Sequence, residues 1–282
     1  QTPEILVYSK PAWGRADAIA VVNASDWHVE EPVKAEAVHG RNEFNLDLAK
    51  SRAEWFFKNT LTLATIGARD SNIRVLHLNA LGDFFTGWIH EEMLANNEMA
   101  PGDAAWFVKG LLCSGIEYWL RESDFVIQGE MIPGNHGRLT PKMHFTNPTG
   151  TSLETFMYRA VAAHFHDNPR VQLHVSEHAM RYVRFFEKFN MRLIHGYEVS
   201  YHGGVGGITI PIRKALAEWN KVVWAHLTVM GHWHQKLDGE DFFVNGSLIG
   251  YSAYSQRIKA PFEEARQSFF LVHARHGGEK SI

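Results

Sequence analysis

Five short stretches of this chain set metal-binding side-chain types close together: Asp26-Trp27-His28, Gly82-Asp83, Gly134-Asn135-His136, His195-Gly196 and Gly231-His232-Trp233-His234. Residues two apart on an extended segment point roughly the same way, so Asp26 with His28, and His232 with His234, can each bring two donors to one point. The donors are imidazole, carboxylate and amide oxygen without thiolate, a set that suits Mn²⁺, Fe or Zn²⁺ better than a structural cysteine-bound zinc. Seven candidate ligands (Asp26, His28, Asp83, Asn135, His195, His232 and His234) exceed the needs of one tetrahedral ion. They suit two ions bridged by a carboxylate, with positions left open for water and substrate. Singly each stretch is weak, because a lone histidine is more often a hydrogen-bonded structural residue than a ligand. Their order and completeness carry the weight.

Such donors need elements that deliver them to one place. The β-branched run Ala18 to Ser25 reads as a buried strand leading into Asp26, and the run Ile73 to Leu81 as a second leading into Asp83. Between them the spacing of Leu48, Trp55, Phe56, Leu63 and Ile66 predicts a helix over about 46–66, so the segment reads as a βαβ unit. Helical patterning resumes from Trp88 to Glu122, broken at Ala100-Pro101-Gly102-Asp103, where Asp103 is expected as the cap. A third strand from Phe125 delivers Asn135 and His136. A helix over about 153–166 follows, then strands near 171–175, 182–186 and 191–194, the last ending at His195. Beyond Gly203–Gly207 come a helix near 211–221 and a strand from Ala225 ending at Gly231. In open α/β sheets ligands bind beyond the carboxyl ends of strands, which is where all five stretches fall. Trp27 and Trp233, each between two candidate ligands, are expected to wall the site; Trp55, Phe56, Trp106 and Trp119 are expected to pack.

The 282 residues, 45% hydrophobic and 21% charged, are ordinary globular composition with mass enough for a sizeable core. Seventeen histidines raise the prior for a metal site. One cysteine, Cys113, excludes an intrachain disulfide, and its apolar setting reads as a buried thiol. No stretch matches a membrane span or a signal peptide, so a soluble, cytoplasmic protein is expected. Gln1 in place of Met suggests a processed or truncated chain. A net charge of −3 offers no global attraction to nucleic acid, although a local basic groove fits under that total. The glycine run Gly203–Gly207 lacks the Lys-Ser/Thr of a P-loop, and Asn245-Gly246-Ser247 is taken as a chance glycosylation match. The expected division is an N-terminal extension over 1–18 and one domain over 19–282, with a helical insertion at 88–130.

The series resembles the calcineurin-like metallophosphoesterase superfamily, whose pattern is Asp-x-His, Gly-Asp, Gly-Asn-His, a later His and Gly-His-x-His; the match runs from about Ile19 to Val244. The resemblance implies an α/β fold, a four-layer α/β/β/α metallophosphoesterase sandwich with a two-metal site at the C-terminal ends of its strands. It implies that Asp26, His28 and His234 hold the first ion, that Asn135, His195 and His232 hold the second, and that Asp83 bridges both. Mn²⁺ is the first expectation, with Fe, Zn²⁺ or Ni²⁺ as alternatives. His136 corresponds to the non-ligand histidine that stabilises phosphate or protonates the leaving group, and Arg138 and His202 are candidate phosphate contacts. Two departures stand out. Gly137-Arg138 replaces the acidic residue that often follows Gly-Asn-His, and no Asp-Arg follows Gly82-Asp83, which lowers the protein phosphatase reading. Gly203–Gly207 and Asn245–Tyr251 are similar to phage and prophage members, some of them likened to the Mre11 and SbcD nucleases. The expected substrate is therefore a phosphodiester of DNA or RNA, with a phosphomonoester or small diester as the alternative and a silent metal-stabilised scaffold as the third.

Overall fold

A computed structural model of the chain describes residues 16–89, 91–144, 147–201, 206–275 and 277–279. Of the extension expected over 1–18, residues 1–15 lie outside the described residues, and Asp17 and Ala18 already belong to a strand.

The apolar runs form two sheets. In the first, β1 (Asp17–Ala24), β2 (Asn72–Ala80), β3 (Val126–Met131) and β4 (Val171–Val175) lie parallel in that order. The second contains β5 (Met180–Phe185), β6 (Phe189–Ile194), β7 (Leu227–Met230), β8 (Leu237–Asp238) and β9 (Phe242–Val244), in the order β5-β6-β7-β9-β8. Two C-terminal strands, β10 (Phe269–His273) and β11 (Gly277–Glu279), return to the first sheet, β10 pairing antiparallel with β1.

Helices α1 (Leu46–Gly67), α2 (Glu91–Asn96), α3 (Pro101–Glu122) and α4 (Leu153–His164) lie between the strands of the first sheet. Phe57 of α1, Ile116 of α3 and Val161 of α4 share one core with Leu76 and Leu78 of β2. A second core of Val21, Leu81, Ile132, Leu193, Val229 and Phe270 fills the space between the sheets. A third joins Ile212 and Leu216 of α5 (Thr209–Val222) to Met230 and Val244 on the far face. The layers therefore run helix, sheet, sheet, helix, the expected sandwich. Helix α6 (Ala253–Arg257) adds a short capped turn near the C-terminus. The stretch 88–130 supplies α2, α3 and the start of β3, and α3 packs against α1 and α4 within the helical layer.

Local chemistry explains most boundaries. Asn45 caps α1 by accepting from the Leu48 amide. Helix α3 differs from expectation: Pro101 sits at its first turn and Asp103 lies inside that turn, so the preset φ of proline starts the helix instead of an Asp103 cap. Trp55 and Trp106 also differ, being 62% and 70% exposed, whereas Phe56 and Trp119 are buried. Trp55 is one position off the stripe Ala49, Ala53, Phe56 and Thr60 that faces the sheet. Cys113 is buried. Among the described residues no helix is long and apolar enough to cross a membrane.

His77 of β2 lies between the sheets, its ring 5.0 Å from that of Phe185, and burial pushes its imidazole down to about 4 from the usual 6.5. It is neutral in the fold, so the unfolded chain takes the proton first as pH falls. Its contribution to stability is expected to be lost from pH 6.5 to about 4 and then to level off, about 3 kcal/mol in total. His77→Leu should make that part of the melting-temperature profile shallower. Parallel profiles for variant and wild type would contradict this assignment.

Candidate metal centre

The first sheet delivers Asp26 and His28 past β1, Asp83 past β2, and Asn135 and His136 past β3; the second delivers His195 past β6, and His232 and His234 past β7. The centre therefore sits on the seam where the C-terminal ends of both sheets meet. Backbone bonds tie the delivering loops together: the Asp26 amide donates to the Gly82 carbonyl, Trp27 and His28 to that of Asp83, and Gly231 to that of His195. The Asp26 carboxylate accepts from the His232 amide at 3.0 Å, which links the two sheets directly.

These loops approach very closely. A Cβ on Gly82 would collide with the Gly134 backbone, and one on Gly134 with the Asp83 carboxylate, so only glycine lets the two strand ends meet. Asp26, His28, Asp83, His232 and His234 all have φ between 47° and 70°, the left-handed region that side-chain-bearing residues rarely occupy. Five such residues among seven expected ligands mark strain held in place by the surrounding fold, a pattern that clusters at functional sites.

The side chains converge. Asp26, His28 and His234 form one group whose donor atoms lie within 4.8 Å of one another; Asp83, His195 and His232 form a second; His28, Asp83 and His136 form a third. His28 Nε2 lies 3.1 Å from His234 Nε2, which is 3.5 Å from Asp26 Oδ1. His195 Nε2 lies 2.8 Å from Asp83 Oδ2 and 3.1 Å from Asn135 Oδ1. Burial, reinforced by neighbouring histidines, holds His28 and His232 well below the usual range, and burial brings His234 to about 3. Three neutral imidazoles thus keep lone pairs at the centre, with His28 and His234 facing each other. Burial would lower His195, but the Asp83 carboxylate outweighs it and raises the ring to about 10. Burial would raise Asp83, and His195 and His136 reverse that, holding it well below the carboxylate range. Facing lone pairs, clustered carboxylates and the amide oxygen of Asn135 fit a pair of divalent cations.

Hydrogen bonds fix the rings. His195 Nδ1 donates to the Leu81 carbonyl at 2.6 Å. Thr86 Oγ1 donates to Glu31 Oε2 at 3.0 Å and so accepts from His28 Nδ1 at 2.9 Å. Such contacts set the tautomer and aim Nε2 at the centre. His136 Nδ1 donates to the Thr86 carbonyl at 2.8 Å, so a backbone oxygen orients this ring in place of the missing acidic neighbour. The absence has a steric reason: a Cβ at position 137 would lie 2.7 Å from the Glu154 Cβ.

Sequence reasoning passed over three carboxylates. Glu154 of α4, fully buried, accepts from the amides of Phe84 at 2.9 Å and Gly134 at 2.6 Å, next to Asp83 and Asn135. Glu30 accepts from the amides of Thr86 and Gly87, and Glu31 orders Thr86. Two adjacent acids one residue beyond Asp26-x-His28 were the available signal for the latter pair; nothing local marks Glu154 as inward-facing. Trp27 does not wall the centre. Its ring is buried among Phe56, Phe57 and Phe84, where it anchors the loop from behind. Trp233 does contact the centre, 5.0 Å from the His232 ring. Asn245 is fully buried, donating to Ser25 and accepting from Ser268, so it braces the loop after β1 and is no glycan acceptor in the fold. Arg138 is held beside Asn135, whose carbonyl accepts from Nη1 at 2.9 Å. His202 lies outside the described residues, as do Gly203 and Gly204.

No family model and no curated protein matches the chain. Among solved structures, wild-type Vps29 of Entamoeba histolytica complexed with Zn²⁺ is 12% identical, with 92% of this chain and 94% of that chain covered and a TM-score of 0.32. A single mutant of that protein is 14% identical, with 90% and 84% covered and a TM-score of 0.34. A protein assigned as a 5'-nucleotidase of Staphylococcus aureus, in complex with alpha-ketoglutarate, is 10% identical with a TM-score of 0.38; 94% of this chain and 53% of that chain are covered. At identities this low, chemistry is read from this chain's own side chains.

Proposed function

We propose that the chain is a metal-dependent phosphoester hydrolase that works with two divalent cations. The convergence of Asp26, His28, Asp83, Asn135, His195, His232 and His234 from five strand ends, most in left-handed backbone, carries this reading. Asp26, His28 and His234 would hold one ion, Asn135, His195 and His232 the other, and Asp83 both. When bound, such a pair acidifies a water and neutralises charge on the phosphoryl oxygens. His136, less buried than Asp83 and with Nδ1 committed to Thr86, presents Nε2 to protonate the leaving oxygen, a role typically contributing about 10²–10⁴-fold. Arg138, whose guanidinium donates to the Asn135 carbonyl, would contact a phosphate oxygen.

The substrate class proposed is a phosphodiester of DNA or RNA, and Mn²⁺ the ion pair. Both rest on the sequence resemblance; the apolar Phe84 and Phe85 following Asp83 count only against a protein phosphatase. The test loads the protein with Mn²⁺, Zn²⁺, Ni²⁺ or Fe²⁺ and compares single- and double-stranded DNA, RNA, a bis-aryl phosphate and an aryl monoester. Cleavage of nucleic acid and diester above monoester is expected; turnover of the monoester alone would replace the nuclease reading with a phosphomonoesterase. Chelation should abolish turnover and lower the melting temperature, because a ligand bound only by the folded state stabilises it by about 4 kcal/mol at a thousandfold excess over Kd.

A further inference from the structure

Beside His136 lies a cavity of about 240 Å³ whose walls include Phe85, Gly87, Trp88, Gly102, His136 and Leu139. It is smaller than the roughly 300–1,000 Å³ typical for drug-sized ligands, so it suits one ring system. The lining is apolar except for the His136 imidazole. Trp88 and Leu139 stand at its rim half exposed, at 50% and 52%. The Trp88 indole is positioned, its Nε1 donating to the Arg138 carbonyl at 3.0 Å, which occupies its polar edge and leaves its face for stacking.

Exposed aromatics continue from this cavity. Trp106 is one helical turn from Gly102 on α3 and carries the Lys109 ammonium 5.1 Å from its ring centroid. Phe156 is three residues from Leu153, another cavity residue, on α4. Helical spacing sets each on the same side as its partner, and both are about 70% exposed. Exposed aromatic rings interleaved with cations are the surface on which single-stranded nucleic acid stacks.

We propose that this cavity is a nucleobase subsite, in which the base on the leaving side of the scissile phosphate stacks on Trp88, while Trp106 and Phe156 take neighbouring bases of a single strand. The proposal rests on the phosphodiester reading above, and its test is independent of turnover. In the ¹⁵N-labelled full chain, the Trp88 indole resonance, identified by its loss in Trp88→Phe, should shift on addition of adenosine monophosphate and stay put with ribose 5-phosphate. Gly102→Leu should fill the cavity and weaken the mononucleotide by roughly tenfold or more. A Cβ at Gly102 meets no atom within 4 Å, and a melting curve of the variant checks that the fold is kept. Equal shifts with both ligands would mean phosphate binding alone and would overturn base recognition. No shift with the nucleotide would also overturn it and leave the strip to a protein partner. A Trp88 shift with AMP in a protein that cleaves no phosphoester would support the subsite while removing the hydrolase reading. Cleavage of oligonucleotides with an unmoved Trp88 would do the reverse.

Discussion

Asp83→Asn is expected to lower kcat/KM for any phosphoester the protein hydrolyses by about a thousandfold or more, equivalent to roughly 4 kcal/mol of barrier. Asp83 is the only carboxylate shared by two of the described donor groups, lying with His195 and His232 on one side and with His28 and His136 on the other. Converting it to an amide keeps the shape and removes the charge that would hold two cations together. The same carboxylate accepts from the His136 amide at 2.8 Å, so the candidate proton donor also loses part of its anchoring. The fold should survive, because the loop after β2 remains tied through the Gly82 and Asp83 carbonyls. Steady-state kinetics with Mn²⁺ and a circular-dichroism melt would measure both. An intact fold with activity within tenfold of wild type would remove Asp83 from the mechanism.

Glu154→Ala is expected to destabilise the fold strongly, through the loops that carry the candidate ligands. Its carboxylate bridges the amides of Phe84 and Gly134, and both bonds are buried. Burial, together with the nearby Asp83 charge, raises this carboxyl to about 7, so the anion is costly there and is kept by the two donors. Removing it leaves two buried N–H groups unpaired, at about 1–3 kcal/mol each, partly offset by the relieved burial of charge. A net loss of roughly 3 kcal/mol corresponds to about 6–12 °C in Tm for a domain of this size. Glu154→Gln should fall between, since its amide offers one acceptor and turns a donor toward the other N–H. Because the freed loops carry Asp83 and Asn135, metal affinity should also drop by about 10–100-fold, as for other groups that orient ligands. A Glu154→Ala protein with unchanged Tm and metal titration would show that Glu154 does not hold these loops.

Sequence periodicity was enough for the parallel strands and helices of the first sheet, because in a βαβ segment apolar runs alternate with helical stripes along the chain. Elements after β7 were not legible. Strands β8 and β9 are two and three residues long, and β10 owes its place to pairing with β1 across nearly the whole chain. The candidate ligand types were visible because metal chemistry restricts them to a few side chains, here at strand ends. The carboxylates that orient them were not, since Glu154 acts through backbone amides distant in sequence, and only the folded loops show that its side chain turns inward. The backbone strain was equally hidden: nothing in the identity of Asp26 or His234 announces a positive φ. Trp27 shows the same limit, since alternation placed its ring away from the ligands but could not tell a wall from a core anchor.

The central claim is that these side chains hold two divalent ions sharing Asp83. Anomalous diffraction from crystals grown with Mn²⁺, measured at the manganese edge, tests it most directly. Two peaks per chain are predicted, one among Asp26, His28 and His234, the other among Asn135, His195 and His232, with Asp83 in contact with both. A single peak, or peaks away from these residues, would contradict it.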